Sequence, residues 1–125
     1  MSIKKLAIVS IPVKDQERAK SFYRDVLGLR VTHDDPFMPN GRRIELTPEG
    51  AETAITLVTW FDNMPAGCVQ GLVLATNDIE AAHQALVARG LQIGSIESAS
   101  WGRYATFNDL DGNGWIIQQF AASGA

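Results

Sequence analysis

The chain has 125 residues, of which 46% are hydrophobic and 20% are charged, a balance typical of one soluble globular domain. Its 11 basic and 14 acidic residues give a net charge of −3, so the positive surface that attracts nucleic acid or anionic lipid is not expected. No apolar run is long enough to cross a bilayer, and the single Cys68 cannot form an internal disulfide. These features predict a cytoplasmic protein that binds neither nucleic acid nor membrane, with Cys68 as a structural or surface thiol.

The first half of the chain predicts the order strand, helix, strand, strand, strand. Asp15 fits a helix N-cap, and an apolar stripe at spacings of three and four residues follows it and ends at Gly28. Residues 33–41 contain two prolines and an Asn-Gly pair, which predicts a loop in which Asp34 and Asp35 make a turn. The strands predicted in this half are 5–13, 29–32, 43–47 and 53–60.

The second half repeats this order with a period of about 62 residues. Gly28 and Gly90 close the two predicted helices and are 62 residues apart, as are Gly50 and Gly112 in two predicted turns. Asp78 fits the second helix N-cap. The strands predicted in this half are 69–76, 91–93, 103–107 and 115–120.

This repeat indicates a fold class. A half-barrel sheet must pair with its copy to bury its concave face, so the sequence predicts an α+β protein in which two βαβββ modules pair into a composite open barrel with a cavity between them. The modules are expected at about 4–62 and 67–121 within one domain, 1–125. A ferredoxin-like βαββαβ sandwich is the main alternative, but it leaves two of the four hairpin-like runs unexplained.

Two stretches of the chain carry a recognisable pattern. The first is Ile11–Asp15 followed by Ala19–Leu29, and the second is Phe107–Trp115, where Leu110 replaces a usual proline. Together they resemble the vicinal oxygen chelate superfamily, which includes glyoxalase I, bleomycin-resistance-type binding proteins, fosfomycin-resistance enzymes and extradiol dioxygenases. The resemblance covers essentially the whole chain. It implies a paired-module fold with a central cavity, often dimeric, but it does not determine the chemistry.

In the metal enzymes of that superfamily, four inward-facing side chains, typically His and Glu, bind one divalent cation. Carried over residue by residue, the resemblance places these positions at Ile8, Thr56, Gly71 and Ile116, or at Gln118 if the last hairpin is longer. None is His, Asp, Glu or Cys, the residue types that such a cation requires. We therefore expect no metal and no other cofactor. The two histidines, His33 and His83, are predicted as surface residues.

The cavity is left with apolar, aromatic and neutral polar side chains. Flat rings hold planar ligands by stacking without hydrogen bonds. For Trp101, stacking and an ordinary core or dimer-interface role are both open, whereas an ordinary core or dimer-interface role is predicted for Trp115. The predicted ligand-binding residues are Ile8, Ser10, Phe37, Met38, Thr56, Val58, Trp60, Val73, Trp101, Tyr104 and Gln118.

Charged residues near the strand ends have two interpretations. One possible role for the arginines Arg42, Arg43 and Arg103 is to bind a carboxylate or phosphate at the mouth of the cavity. We expect instead that they are solvated residues at strand ends. Asp109 and Asp111 are predicted to organise their own hairpin through bonds from side chain to backbone.

The sequence thus predicts a homodimeric, metal-independent member of the superfamily that binds or sequesters an apolar or planar aromatic small molecule, such as an antibiotic. One alternative is a glyoxalase-like lyase or isomerase, or a dioxygenase-type enzyme, with a non-standard site. In that case Glu45 is the strand carboxylate that would serve as acid or base. A second alternative is a dimerising module without a ligand. The ligand itself, and whether the modules pair within one chain or between two, stay open.

Overall fold

The repeated order of strands and helices is present in the computed structural model, which describes residues 1–39 and 41–121. One unit spans Met1–Cys68, and a second begins at Val69. The α+β class and the doubled βαβββ order are confirmed, and the ferredoxin-like alternative is wrong. The elements are β1 (Ile8–Pro12), α1 (Gln16–Ser21) with a π-helical turn (Phe22–Val26), β2 (Arg30–Phe37), β3 (Gly41–Thr47), β4 (Ala54–Val58), β5 (Leu72–Ala75), α2 (Ile79–Ala88), β6 (Glu97–Ala99), β7 (Gly102–Asn108) and β8 (Gly114–Phe120).

Each unit has one four-stranded sheet in which the first and last strands are parallel neighbours. The strand order is β1-β4-β3-β2 in the first unit and β5-β8-β7-β6 in the second. Ser10 of β1 lies opposite Thr56 of β4, and Val73 of β5 lies opposite Ile116 of β8. The remaining neighbours are antiparallel. The second unit therefore reproduces the topology of the first, as the sequence repeat predicts.

A single helix covers one face of each sheet. In the first unit α1 packs against β3 and β4, and in the second α2 packs against β7 and β8. Because side chains alternate between the two faces of a strand, the register assigns each residue to one face. The buried residues on the covered faces include Ile11, Ile44, Leu46 and Leu57 in the first unit and Ala105, Phe107, Trp115 and Ile117 in the second.

We call the opposite surface of each sheet its helix-free face. In the first unit this face carries Ile8, Ser10, His33, Asp35, Phe37, Arg43, Glu45 and Thr56. In the second unit it carries Val73, Ala75, Tyr104, Thr106, Asn108, Ile116 and Gln118.

Both predicted helix caps are confirmed. A side-chain oxygen of Asp15 accepts a hydrogen bond from the Arg18 backbone N–H at 3.1 Å, and Asp78 accepts one from the Ala81 N–H at 3.1 Å. Each carboxylate satisfies a backbone donor that the first turn of a helix leaves unpaired. Trp115, for which a core or dimer-interface role is predicted, is buried in the core.

Two predicted elements are wrong. Most of the expected loop at 33–41 is strand, because β2 continues to Phe37 and β3 begins at Gly41; Asn40 lies outside the described residues. Pro36 is tolerated because β2 is an edge strand, where a missing N–H breaks no ladder. The strand expected at 91–93 is reduced to one bridge between Ile93 and Phe107. The Leu91 N–H instead closes the end of α2 by donating to the Leu86 carbonyl at 3.1 Å.

A β-bulge at Thr32 decides which face the second half of β2 presents. The pairing with β3 shifts between Val31 and His33. One extra residue on a strand moves every later side chain to the other face. Asp34 therefore lies on the helix-covered face, whereas His33 and Asp35 lie on the helix-free face.

Asp34 joins β2 and β3 to the helix through charged groups. Arg42 donates to its two carboxylate oxygens from Nε at 3.0 Å and from Nη2 at 2.7 Å, and Lys20 donates from α1 at 2.9 Å. These bonds lower the pKa of Asp34 to about 2, and the hydrogen bond from Arg42 makes the largest contribution. Arg42 also donates to Glu17 at 2.8 Å. The turn predicted for Asp34 and Asp35 is thus wrong, and Arg42, near the start of β3 with a side chain 35% exposed, is an ion-paired strand end.

Gln16 connects β3 to β4 where their own pairing stops. The register of these strands covers two residue pairs around Leu46. Beyond it, Gln16 Nε2 donates to the carbonyls of Arg42 at 2.6 Å and Leu57 at 2.8 Å, and its Oε1 accepts from the Arg42 N–H at 3.1 Å. One carboxamide therefore replaces ladder hydrogen bonds between the diverging strands.

We expect Gln16→Ala to lower the free energy of unfolding by about 1–3 kcal/mol, because it leaves partly buried backbone groups without partners. Urea unfolding followed by circular dichroism measures this. The matched control is Gln92→Ala, at an exposed glutamine with little effect expected. Equal midpoints for both variants would contradict a bridging role for Gln16.

Candidate functional site

The predicted ligand-binding residues lie on the two helix-free faces or next to them. In the first unit the register brings Ser10, Thr56 and Glu45 into one row across β1, β4 and β3. Arg43 Nε lies 3.0 Å from a carboxylate oxygen of Glu45, whose side chain is 12% exposed. Ile8, on the same strand as Ser10, is exposed. The centre of this face therefore carries two neutral hydroxyls and one ion pair.

An aromatic cluster adjoins the end of this face. The ring centroids of Phe37 and Trp60 are 5.2 Å apart, and those of Trp60 and Phe61 are 6.3 Å apart. Gly41 makes room for this arrangement, since a Cβ there would lie 2.9 Å from the Phe37 carbonyl oxygen and 3.3 Å from the Trp60 ring. Met38 follows Phe37 with a positive φ of 62° and is exposed.

One predicted lining residue of the first unit, Val58, is buried to 1% exposure. Its backbone carbonyl accepts from the Val13 N–H at 2.9 Å, which extends the pairing of β1 and β4. Val58 accordingly belongs to the packed part of the unit and offers a ligand little surface.

The helix-free face of the second unit carries a second aromatic pair. The rings of Trp101 and Tyr104 stack with centroids 4.7 Å apart and an interplanar angle of 30°. Trp101 is 48% exposed, so about half of the residue is accessible. Gln118 lies opposite Tyr104 and is 7% exposed, and Val73 is exposed on the neighbouring strand β5. Four predicted residues are thus brought together on one surface.

A cavity of about 430 Å³ opens at the other end of this sheet. Several lining side chains are neutral amides, which the sequence reasoning missed because isolated amides leave no periodicity or charge signal. None of the lining residues is charged. They are Gln70, Gly71, Gln92, Thr106, Phe107, Asn108, Gly114, Trp115 and Ile116.

The turn between β7 and β8 anchors this end of the second unit. Asp109 Oδ1 accepts from the N–H groups of Asp111 and Asn113, both at 2.9 Å, and Oδ2 accepts from the Asn113 side chain at 2.8 Å. Asn113 in turn accepts from the Val69 N–H at 3.2 Å. The hairpin role predicted for Asp109 is confirmed, and the turn also holds the chain that leads into β5.

The remaining ionisable side chains that the sequence analysis considered lie away from the helix-free faces or are exposed. Arg103 donates to Glu80 of α2 at 2.9 Å, which places its guanidinium on the helix-covered side. His83 on α2 forms a 2.8 Å bond with the Gly94 carbonyl. His33 Nδ1 lies 3.8 Å from an Asp35 oxygen, and both side chains are exposed. Cys68 is an exposed thiol.

The four positions that the sequence resemblance assigns to a metal do not suit a divalent cation. Ile8, Gly71 and Ile116 have no side-chain donor atom, Thr56 has only a neutral hydroxyl, and Gln118, the alternative to Ile116, has only a neutral amide. Across residues 1–39 and 41–121, no group of three or more His, Cys, Asp or Glu side chains is placed to hold a metal ion. Within the same residues, no helix is long and apolar enough to span a membrane.

Comparison with known families agrees with this geometry. Residues 5–117 match the model of the Glyoxalase/Bleomycin resistance protein/Dioxygenase superfamily. The chain belongs to this superfamily. The resemblance seen in the two sequence stretches is therefore confirmed.

Individual relatives cover almost the whole chain. The YetH protein of Bacillus subtilis (strain 168) is 30% identical in an alignment of 121 residues that covers 94% of this chain and 99% of YetH. The crystal structure of TnmS3, an antibiotic binding protein from Streptomyces sp. CB03234, superposes with a TM-score of 0.93 at 39% identity and covers 97% of this chain and 99% of TnmS3. A glyoxalase/bleomycin resistance protein from the same strain gives a TM-score of 0.84 at 40% identity, with 92% and 100% coverage.

The residue types at the four positions lead to a prediction about metal content. We expect elemental analysis of purified protein, dialysed against Zn²⁺, Mn²⁺ or Ni²⁺ and then against metal-free buffer, to find no stoichiometric divalent ion, because side chains without charged or imidazole ligands bind such ions weakly. One retained ion per chain would contradict this prediction.

Proposed function

We propose that this chain binds a planar, apolar or aromatic small molecule, of the kind represented by antibiotics, without a metal ion or other cofactor. The observation that carries the proposal is the stacked pair of Trp101 and Tyr104, which presents a half-exposed indole beside the helix-free face of the second unit. TnmS3, which shares 39% of its residues with this chain, is an antibiotic binding protein, and this likeness supports the proposal.

The energetics favour stacking at this pair. An exposed indole beside a second ring offers a ligand a broad apolar surface whose burial stabilises the complex by about 25 cal/mol per Å² before the costs of association. Tyr104 already restrains the indole of Trp101 at 4.7 Å, so little side-chain freedom is lost when a ligand binds. A planar ring system matches this geometry better than a branched aliphatic molecule.

The first unit supplies similar chemistry. Phe37 and Trp60 form a second ring pair, and Phe37 is exposed. The neighbouring row of Ser10 and Thr56 adds neutral hydroxyls that orient a ligand through hydrogen bonds. Each unit thus presents a pair of aromatic side chains near one end of its sheet. The homodimer and cytoplasmic location predicted from the sequence are part of the same proposal.

Trp101→Ala is expected to weaken binding of planar aromatic probes by about 1–2 kcal/mol, or roughly 5- to 30-fold in Kd, because it removes the stacking surface. Fluorescence titration with 1-naphthol, 4-methylumbelliferone and 1-hydroxypyrene measures this. The control variant is Val87→Ala, which removes an exposed apolar side chain from α2.

Two results would count against the proposal. If none of the probes binds the unaltered protein, the stacking function fails and the ligand-free dimerising module is favoured. If Trp101→Ala and Val87→Ala bind the probes as tightly as the unaltered protein, the Trp101 ring is not the binding surface.

The enzyme alternative has one observation in its favour. Glu45 is a largely buried carboxylate on the helix-free face of the first unit, held 3.0 Å from Arg43 and next to Thr56. A sheltered, oriented carboxylate is the group that acid–base catalysis needs. Under this alternative Glu45→Gln abolishes turnover of a bound compound and preserves its affinity. Under the binding proposal, product analysis by mass spectrometry finds the compound unchanged with either protein.

A further inference from the structure

We propose that the cavity at the second sheet is a subsite for a neutral, hydroxyl-rich group, such as a glycosyl unit, attached to the planar ligand. The inference rests on the proposed function and specifies the class of ligand. It derives from the chemistry of the cavity walls, their fixed positions and their place on the same sheet face as the Trp101–Tyr104 pair.

The walls favour uncharged groups that both donate and accept hydrogen bonds. Gln92 and Asn108 each contribute a carboxamide and Thr106 contributes a hydroxyl, whereas the carboxamide of Gln70 already bonds to the Gly112 carbonyl. A carboxamide offers two N–H donors and a carbonyl acceptor, which matches a pair of neighbouring hydroxyls. A charged group would lose hydration without gaining a counterion, because no lining residue is charged.

The aromatic residues of the cavity do not change this conclusion. Phe107 and Trp115 are 5% and 3% exposed, and their rings stack on each other at 7° on the helix-covered side. They therefore offer the cavity almost no ring face. A ligand group in this cavity would gain mainly hydrogen bonds, whereas a group at Trp101 would gain mainly stacking.

The cavity walls are held in place by hydrogen bonds. Gln70 Nε2 donates to the Gly112 carbonyl at 3.1 Å. Its Oε1 occupies the space beside Gly114, where a Cβ would overlap it. The loop that carries Gln92 is fixed at Gly94, whose N–H donates to the Thr106 carbonyl at 2.9 Å and whose carbonyl bonds to a helix side chain. Because these groups are already fixed, the protein loses less conformational entropy when a ligand binds in the cavity.

One strand connects the cavity to the aromatic pair. Tyr104, Thr106 and Asn108 alternate along β7 and therefore point to the same helix-free face. Tyr104 and Asn108 are four residues apart, which is about 13 Å along a strand. A planar ligand stacked near Tyr104, with its long axis along β7, would thus place a substituent at its far end beside the carboxamide of Asn108.

The test compares 4-methylumbelliferone with its β-D-glucoside, its phosphate and its β-D-glucuronide by isothermal titration calorimetry. We expect the glucoside to bind about 10-fold more tightly than 4-methylumbelliferone, a gain of about 1.4 kcal/mol. The phosphate and glucuronide, which are negatively charged, are expected to bind more weakly than the glucoside.

Two variants assign the gain to the cavity. Asn108→Ala and Gln92→Ala are expected to reduce the preference for the glucoside to less than about 3-fold and to leave the affinity for 4-methylumbelliferone unchanged. Both residues are exposed, so the folded state tolerates either change. The matched control is Asn63→Ala, at an exposed asparagine of the first unit, which should keep the full preference.

The outcomes separate this inference from the proposed function. If 4-methylumbelliferone binds and Trp101→Ala weakens it, but the glucoside binds no more tightly, the subsite is overturned and the stacking function stands. A glucoside preference that survives in Asn108→Ala and Gln92→Ala also overturns the subsite. If neither compound binds, both proposals fail.

Discussion

A single helix can cover only one face of a four-stranded sheet, and the candidate site depends on this constraint. In each unit the covered face holds the buried aliphatic and aromatic core, for example Leu57 in the first unit and Ile117 in the second. The other face carries residues such as Val73 that are exposed although they are apolar. Because side chains alternate along a strand, the register decides which residues face the helix, although some residues of the opposite face, such as Val58, are also buried.

The two helix-free faces differ in chemistry although their topology is the same. The first carries the Arg43–Glu45 ion pair beside two hydroxyls, and the second combines a stacked ring pair with an amide-lined cavity. At the positions that the sequence resemblance assigns to a cation, this chain has aliphatic groups, glycine, a neutral hydroxyl and, at the alternative Gln118, a neutral amide. A ligand recognised by such groups is selected by its shape and by neutral hydrogen bonds.

Polar side chains with several hydrogen bonds hold the irregular parts of both units. Gln16 connects diverging strands, Asp34 links the edge strand to the helix, and Asp109 organises the last turn. Gln16 and Asp109 bond to backbone groups that burial would otherwise leave without partners, and Asp34 bonds to two cationic side chains. The Asp109 turn also fixes the start of the second unit, so the same residues that mark the family in the sequence support one wall of the cavity.

The sequence alone determined the helix caps at Asp15 and Asp78, the doubled βαβββ order and the superfamily, because capping, amphipathic spacing and the Asp-Gly turn are local and leave fixed patterns in the chain. The tertiary structure decided the features that depend on partners distant in sequence. β2 continues through Pro36 because it is an edge strand, and the bulge at Thr32 turns Asp34 toward Arg42 and Lys20. The amide-lined cavity joins Gln70, Gln92 and Asn108 from three separate segments, and nothing local in any of these segments encodes their meeting.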